Sequence, residues 1–510
     1  MASSSNESMS LDVTLVDISG QEITKGTWQG HCKAHVLFQA AYKSKPGFLC
    51  KLLCGSEELS PQSDLASLWQ SFGLVTVVWM TGAGQKEQFA IHDAFAAVKS
   101  DGSVITWGDA HGGGNSSRAE HRLQEGVVQV VGNRKAFAAV KSDGSVVTWG
   151  DDDCGGNSSR VEHRLQDGVV QVVGNFMAFA AIKSDGSVIT WGRSRAGGDS
   201  SPVEHRLQEG VVQVVGSYVA FAAIKSDGSV ITWGDAHGGG NSCRVEHRLQ
   251  EGVLQVVGNA GAFAAVKSDG SVVTWGDSDY GGNSSPVEHR LREGVVQVVG
   301  NDESFAAVKS DGSVITWGNA CAGGDSSRVE HRLQDGAVQV VGNAESFAAI
   351  KSDGSVITWG DADEGSDSSR VVHRLQDGVV QVVGNAGAFA AVKSDGSVIT
   401  WGDAHGGGNS SCVEHRLREG VVQVVGNRKA FAAIKSDGSV ITWGDADEGG
   451  VSSCVEHGLQ EGVVQVVGNA GAFAAIKSDG SVVTWGDAAK GGDSSPVEHR
   501  LQTGVIAVFS

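Results

Sequence analysis

AFAAVKSDGSVITWG, residues 94–108, holds two short runs of small apolar and β-branched residues, Ala94–Lys99 and 103–107, on either side of Ser100-Asp101-Gly102. Asp-Gly between two β-forming runs is a strong short-range signal for a hairpin, and a type I′ turn with positive φ at both central residues is expected. The same stretch returns along the chain. Trp-Gly stands at Trp107, Trp149, Trp191, Trp233, Trp275, Trp317, Trp359, Trp401, Trp443 and Trp485, always 42 residues apart. Phe95 to Phe473 and the Asp-Gly pairs keep the same step without an insertion. A fixed period in the range of 20–50 residues is the mark of a solenoid, propeller or array.

Outward from the hairpin, Val127-Val128-Gln129-Val130-Val131 is apolar at successive positions and predicts a strand covered on both faces. Residues 118–123, RAEHRL, with RVEHRL or PVEHRL in most other units, predict a weaker fourth strand. No helix-length pattern occurs in the repeats. One such unit alone cannot bury its Phe, Trp and Val side chains, so neighbours must stack and share stability. The expected fold is mainly β: a propeller-like array of ten 42-residue units over residues 84–510, with helix confined to about residues 33–44 of a preceding head. Ring closure is favoured over an open superhelix or a ring with extra blades. One period before GVVQVVGN (residues 126–133) stands GQKEQFAI (84–91), a poor copy, whereas residues 504–510, GVIAVFS, supply a good one at the end of the chain.

Composition narrows the function. Thirteen Trp against three Tyr, and 73 Gly with five Pro, fit a copied unit with many tight turns. The net charge is −20, and residues 1–84 hold five Lys and seven acidic residues, so most of the surplus lies in the repeats. That sign disfavours nucleic-acid backbones and favours basic peptides or tails. No secretory signal or membrane-spanning run is visible, so no membrane partner is expected. The eight Cys do not recur with the repeat, which speaks for free thiols and a cytoplasmic or nuclear setting.

GVLQVVGNAGAFAAVKSDGSVVTWGD, residues 252–277, resembles the repeat of the regulator of chromosome condensation family: V-x-x-V-x-x-G, a small-apolar strand, D-G, then V-x-x-W-G. The likeness recurs ten times and implies β-propeller blades used as platforms for proteins. The chain departs from that pattern where Ala94, Ala136, Ala178 or Ser304 replaces the usual His, and where GGNSS or GGDSS replaces a loop ending in Leu-Gly. The founding member's guanine-nucleotide exchange on a small GTPase maps onto no position here. The Trp-Asp and Gly-His pattern of WD-type repeats does not recur.

Residues 1–9 are expected to be disordered and residues 10–82 to form a small α+β head. A hairpin pair (residues 11–16 and 21–24), a helix at 34–42, and strands at 51–59 and 74–79 follow in the order of ubiquitin-like domains, with a matching L-L-x-G-x-x-x-L core. By that resemblance an exposed apolar patch would fall on Leu53 and Val78. The tail at residues 80–84 lacks the family's terminal Gly-Gly, which implies an integral domain rather than a conjugated modifier.

Candidate chemistry is sparse. His121 and its nine equivalents, through His499, recur within Glu-His-Arg or a variant and read as a copied feature of a partly exposed strand rather than a metal band. Asp151-Asp152-Asp153 and Asp361-Ala-Asp363-Glu364 lack the spacing of a calcium loop. His31, Cys32, His35, Cys50 and Cys54 are too irregular for a zinc site, and Cys54 falls on a core position. No nucleophile–base constellation stands out, so neither cofactor nor catalytic residue is expected. Units vary mainly in the loop after Trp-Gly and in the turn before the Phe strand. Those tips, with Phe176, Met177, Tyr218, Val219, Arg428 and Lys429 as anchors, are the expected partner surface. The leading reading is a protein-binding adaptor whose head contacts the ubiquitin machinery. The alternatives are an exchange factor for a small GTPase and a non-catalytic relative of ubiquitin ligases bearing such repeats. Those ligases carry their catalytic domain after the propeller, whereas here the sequence stops within the repeat pattern.

Overall fold

The computed structural model describes residues 10–16, 21–29, 37, 40–41, 49–54, 57–59, 74–80 and 92–510. Residues 92–510 form ten three-stranded antiparallel sheets, one per repeat. They are numbered here in chain order, so that sheet 1 contains Ala94–Lys99 and sheet 2 contains Val127–Gly132, Ala136–Lys141 and Val146–Gly150.

The Phe and Trp strands pair as the sequence predicts, with Phe137 opposite Trp149 and Val140 opposite Val146. The turn between them is longer than a type I′ turn. Lys99 N donates to Ser103 O (2.9 Å) and Gly102 N to Lys99 O (2.8 Å), closing a three-residue loop with positive φ at Gly102. A Cβ at Gly102 would lie 2.4 Å from the Gly126 nitrogen. Glycine is therefore required both by the left-handed backbone and by the approach of the next sheet.

Three further expectations are overturned. Residues 118–123 do not form a fourth strand: Glu120–Arg122 is a single 3-10 turn, as are most of its equivalents. Short helical turns also occupy the loops after Trp-Gly, so helix is not confined to the head. In most of the loops after Trp-Gly, as at Asp151, an Asx side chain accepts from backbone N–H groups and holds the turn. The Val-rich strand is not covered on both faces either. Its register skips a residue between Val127 and Gln129, so Val127 and Val130 are buried while Val128 is exposed. The bulge replaces a two-residue alternation with a spacing of three.

Between sheets the core is dry and repetitive. Phe137 and Trp149 of sheet 2 stack at 5.3 Å and pack on Ala94, Ala96 and Val98 of sheet 1. Small Ala residues in one sheet thus admit the large rings of the next. The Trp149 indole Nε1 donates to Gly113 O of the preceding loop (2.9 Å), satisfying its only polar atom. First strands of successive sheets lie side by side on the inner side of the array. There a Cβ at Gly174 would stand 2.8 Å from Gly132 O. Outside, Arg122 pairs with Glu162 (2.8 Å) and Arg164 with Glu204 (2.9 Å), giving the Glu-His-Arg motif a linking role between sheets.

The array closes on itself. Val505–Phe509 pairs antiparallel with Ala94–Lys99, setting Ala507 opposite Val98, and supplies the first strand of sheet 1. Phe95 and Trp107 pack on Ala472, Ala474 and Ile476 of sheet 10, and Trp107 Nε1 donates to Gly491 O (3.1 Å). Every sheet therefore has a neighbour on both sides, in one propeller-like ring of ten.

The head is a five-stranded mixed sheet: β1 (Ser10–Val16), β2 (Glu22–Gln29), β3 (Leu49–Cys54), β4 (Glu57–Glu58) and β5 (Leu74–Met80), in the order β2-β1-β5-β3-β4. β1 and β5 run parallel and the other neighbours antiparallel. Val13, Leu15, Leu52, Val75 and Val77 form its core with Leu37 and Ala41, and Cys54 packs against it. Leu37, Ala40 and Ala41 are helical; the rest of the expected helix at 34–42, the expected disorder at 1–9, and His31, Cys32 and His35 lie outside the described residues. Among the described residues no helix is long and apolar enough to cross a membrane.

Candidate interaction face

The turn before each Phe strand is fixed by one buried side chain. Asn175 Oδ1 accepts from Met177 N (3.1 Å) and Ala178 N (2.9 Å), while its Nδ2 donates to Ala196 O (2.7 Å) in the loop after Trp-Gly. The two variable segments of a unit are thereby tied together on one face. Sheet 4 has Ser217 at this position, whose hydroxyl donates to Gly238 O (2.9 Å). In sheet 1 a buried His92 caps the strand: its Nδ1 accepts from Ala94 N (3.1 Å), so Nε2 carries the hydrogen toward Ala136 O (3.4 Å). Burial pushes the His92 pKa down to about 4.

Neighbouring tips join through their backbones. Phe176 N donates to Tyr218 O (3.3 Å), Ala260 N to Asp302 O (3.1 Å), Asp302 N to Ala344 O (3.1 Å) and Ala386 N to Arg428 O (3.2 Å). The tip residues thus stand shoulder to shoulder around the ring. On sheets 2 to 6 their side chains make one ledge. The Arg134 guanidinium lies 4.7 Å from the Phe176 ring centre, and Phe176 stacks on Tyr218 at 5.4 Å with the planes 10° apart. The Tyr218 hydroxyl donates to Asp302 Oδ1 (3.2 Å) across sheet 5, where the tip is the small pair Ala260-Gly261. Burial raises the Asp302 pKa to about 7, against the pull of that hydrogen bond; burial and Asp302 raise the Tyr218 phenol.

Of the expected anchors, Phe176, Met177, Tyr218 and Val219 are half-buried. Phe176 and Tyr218 shield each other, and Met177 and Val219 pack into the core between sheets 3 and 4. Arg428 and Lys429 are exposed. Leu53 is half-buried on β3, next to β5; Val78 lies opposite Lys51, and its side chain lies outside the described residues. Eight of the ten copied His lie in 3-10 turns, while His289 and His415 lie in other turns, and none is grouped with other metal ligands among the described residues. Arg134, Asp302 and Glu303 are ledge residues that the sequence did not single out, although NRKA (133–136) and NDES (301–304) mark their turns as variable.

No family model and no curated protein matches the chain. Solved structures do. The chain is similar to Prp20p (yeast RCC1) from Saccharomyces cerevisiae, at 15% identity and TM-score 0.32 over 61% of this chain and 81% of that one. It is similar to human WBSCR16 at 16% identity and TM-score 0.34, over 67% of this chain and 99% of that one. It is also similar to the CRINKLY WD40 ectodomain of the Arabidopsis thaliana receptor kinase ACR4, at 15% identity and TM-score 0.29, over 52% and 93%.

Proposed function

We propose that the chain is a non-enzymatic scaffold that holds a protein partner on the face formed by the turns and the loops after Trp-Gly. One observation carries this reading. Residues that pack sheet on sheet are nearly unchanged between units, while the variable residues converge on one surface fixed to a rigid ring. Repetition also argues against catalysis, since the copied His and Asp residues offer ten equivalent positions rather than one asymmetric constellation. The mixed sheet order β2-β1-β5-β3-β4 supports a ubiquitin-like head, which would link the held partner to the ubiquitin system through Leu53 and Val78.

Affinity capture with the full chain tests the reading. Replacing Phe176-Met177, Tyr218-Val219 and Arg428-Lys429 by Ala-Gly should abolish capture of partners and leave a folded ring. Capture that survives these changes but is lost on Leu53→Ala with Val78→Ala would move recognition to the head.

A further inference from the structure

We propose that His92 is an acid-operated latch at the seam of the ring, whose protonation loosens sheet 1 from sheets 2 and 10 while the other sheets stay packed. The latch belongs to the ring itself, whichever face holds a partner. His92 is 1% exposed and bears on three sheets at once. Its Nδ1 accepts from Ala94 N (3.1 Å) in sheet 1, and its Nε2 donates toward Ala136 O (3.4 Å) in sheet 2. The imidazole packs on Phe137, with ring centres 4.0 Å apart. A Cβ at Gly132 would stand 3.0 Å from its Cδ2 and 3.1 Å from Ser510 O, so the imidazole also fills the inner rim of the seam. On the other side, Ala470 N of sheet 10 donates to His92 O (2.9 Å), and Ser510 Oγ donates to Gly468 O (3.0 Å).

No other sheet is capped this way. The turns before the remaining nine Phe strands carry Asn at 133, 175, 259, 301, 343, 385, 427 and 469, and Ser at 217. Those side chains also accept from the backbone, as Asn175 does from Ala178 N (2.9 Å) and Ser217 from Ala220 N (3.1 Å). Neither an amide nor a hydroxyl gains a proton in mild acid. The titratable cap thus stands at sheet 1, the one sheet assembled from strands at opposite ends of the array, Val505–Phe509 and Ala94–Lys99. Elsewhere a weakened cap leaves three strands that follow one another in sequence. Here it leaves a join that hydrogen bonds and packing alone hold shut.

Protonation undoes this arrangement in two ways. An imidazolium carries hydrogen on both nitrogens, so Nδ1 no longer accepts and instead points a donor at the Ala94 N–H. It also sets a full charge in a dry site, which is costly without a partner in reach. Charged groups stand around it on every side: Asp93 next in the chain, Asp109 in the loop after the third strand of sheet 1, Arg134 and Lys135 on the tip of sheet 2, and Lys490 in the loop of sheet 10. Among the described residues the imidazole hydrogen-bonds to backbone only, and Asp109 attracts its proton from a distance. Burial outweighs that attraction and holds the His92 pKa at about 4, against 6.5 for a solvated His. The opened seam therefore binds the proton more tightly than the closed one, and acid favours opening.

Hydrogen exchange on the full chain tests the latch. Between about pH 7.5 and about pH 5, protection at residues 94–99 and 505–509, corrected for the intrinsic rate, should fall by about tenfold or more. Protection at Ala178–Lys183 of sheet 3 should stay the same. His92→Gln keeps an acceptor and a donor but does not titrate, and should abolish the fall. Asp93→Asn removes the neighbouring carboxyl and should leave the fall in place. Nitrogen NMR of the unaltered chain gives a check that needs no folded variant: at about pH 5 the His92 ring should still be neutral, with its hydrogen on Nε2. Equal loss at residues 178–183, a fall that survives His92→Gln or vanishes in Asp93→Asn, or a charged His92 within a still protected sheet 1 would each overturn the proposal.

Discussion

Val508 lies opposite Ala97, so the last strand of the chain is hydrogen-bonded into the first sheet. Phe95 and Trp107 of that sheet are in turn packed on sheet 10, and the two contacts together shut the ring. Deleting residues 504–510 removes buried Val505 and Val508 and leaves Ala94–Lys99 with a bare edge. Each buried Val is worth about 1.5–3 kcal/mol. The truncated chain should melt at a lower temperature, with hydrogen exchange accelerating first at residues 94–108. Protection unchanged there would contradict closure by this strand.

Trp275 is buried, stacked on Phe263 at 5.4 Å, and donates to Gly239 O (3.0 Å) in the loop before it. Trp275→Ala should cost roughly 3–5 kcal/mol. Because each sheet is packed only on its neighbours, the loss should centre on sheets 4 and 5, visible as local hydrogen exchange before global unfolding.

Two buried groups should give opposite pH dependences. His92 has its pKa lowered from 6.5 to about 4, so between those values the unfolded chain binds the extra proton; its contribution is intact above pH 6.5 and lost as pH falls toward 4. Asp302 has its pKa raised from 3.8 to about 7, so the folded state holds the proton; stability is fullest below 3.8 and declines as pH rises through 7. His92→Gln should flatten the acid side of a melting-temperature profile. Asp302→Asn should remove the fall in melting temperature that this group causes between pH 4 and 7, and raise the melting temperature at pH 8 relative to the parent.

At two copies the sequence lacks one partner of the outer ion pair. Val372 stands where Glu would answer Arg332, and Gly458 where Arg would answer Glu498. Val372→Glu and Gly458→Arg should each add about 0.2–1 kcal/mol, a gain that disappears in high salt. Urea titrations at low and high ionic strength would measure it.

The ring was legible in the sequence because its causes are local and repeated. Phe95, Trp107 and Gly102 name the hairpin, and the surplus GVIAVFS names the closing strand. The fourth strand was not legible. Residues 118–123 carry a strand-like Val or Ala next to Glu-His-Arg, and the local hydrogen bonds from Arg122 N to Ala119 O and from Leu123 N to Glu120 O show that the chain turns there. The ledge was half legible: variation marked the turns, but the contacts along it depend on which tips adjoin. Asp302 meets Tyr218 only because Ala260-Gly261 between them is small, a relation between residues of different units that no single repeat displays.

The seam between Val508 and Ala97 also has a genetic consequence. The break in the ring falls inside a sheet, out of phase with the units of the sequence, so adding or removing a whole unit keeps both halves of the closing sheet in the chain. An in-frame gain or loss of one 42-residue copy therefore leaves no orphan edge; it changes the circumference and which tips become neighbours. Recombination between near-identical stretches would change copy number in whole units, and every change would re-deal the order of charges around the face.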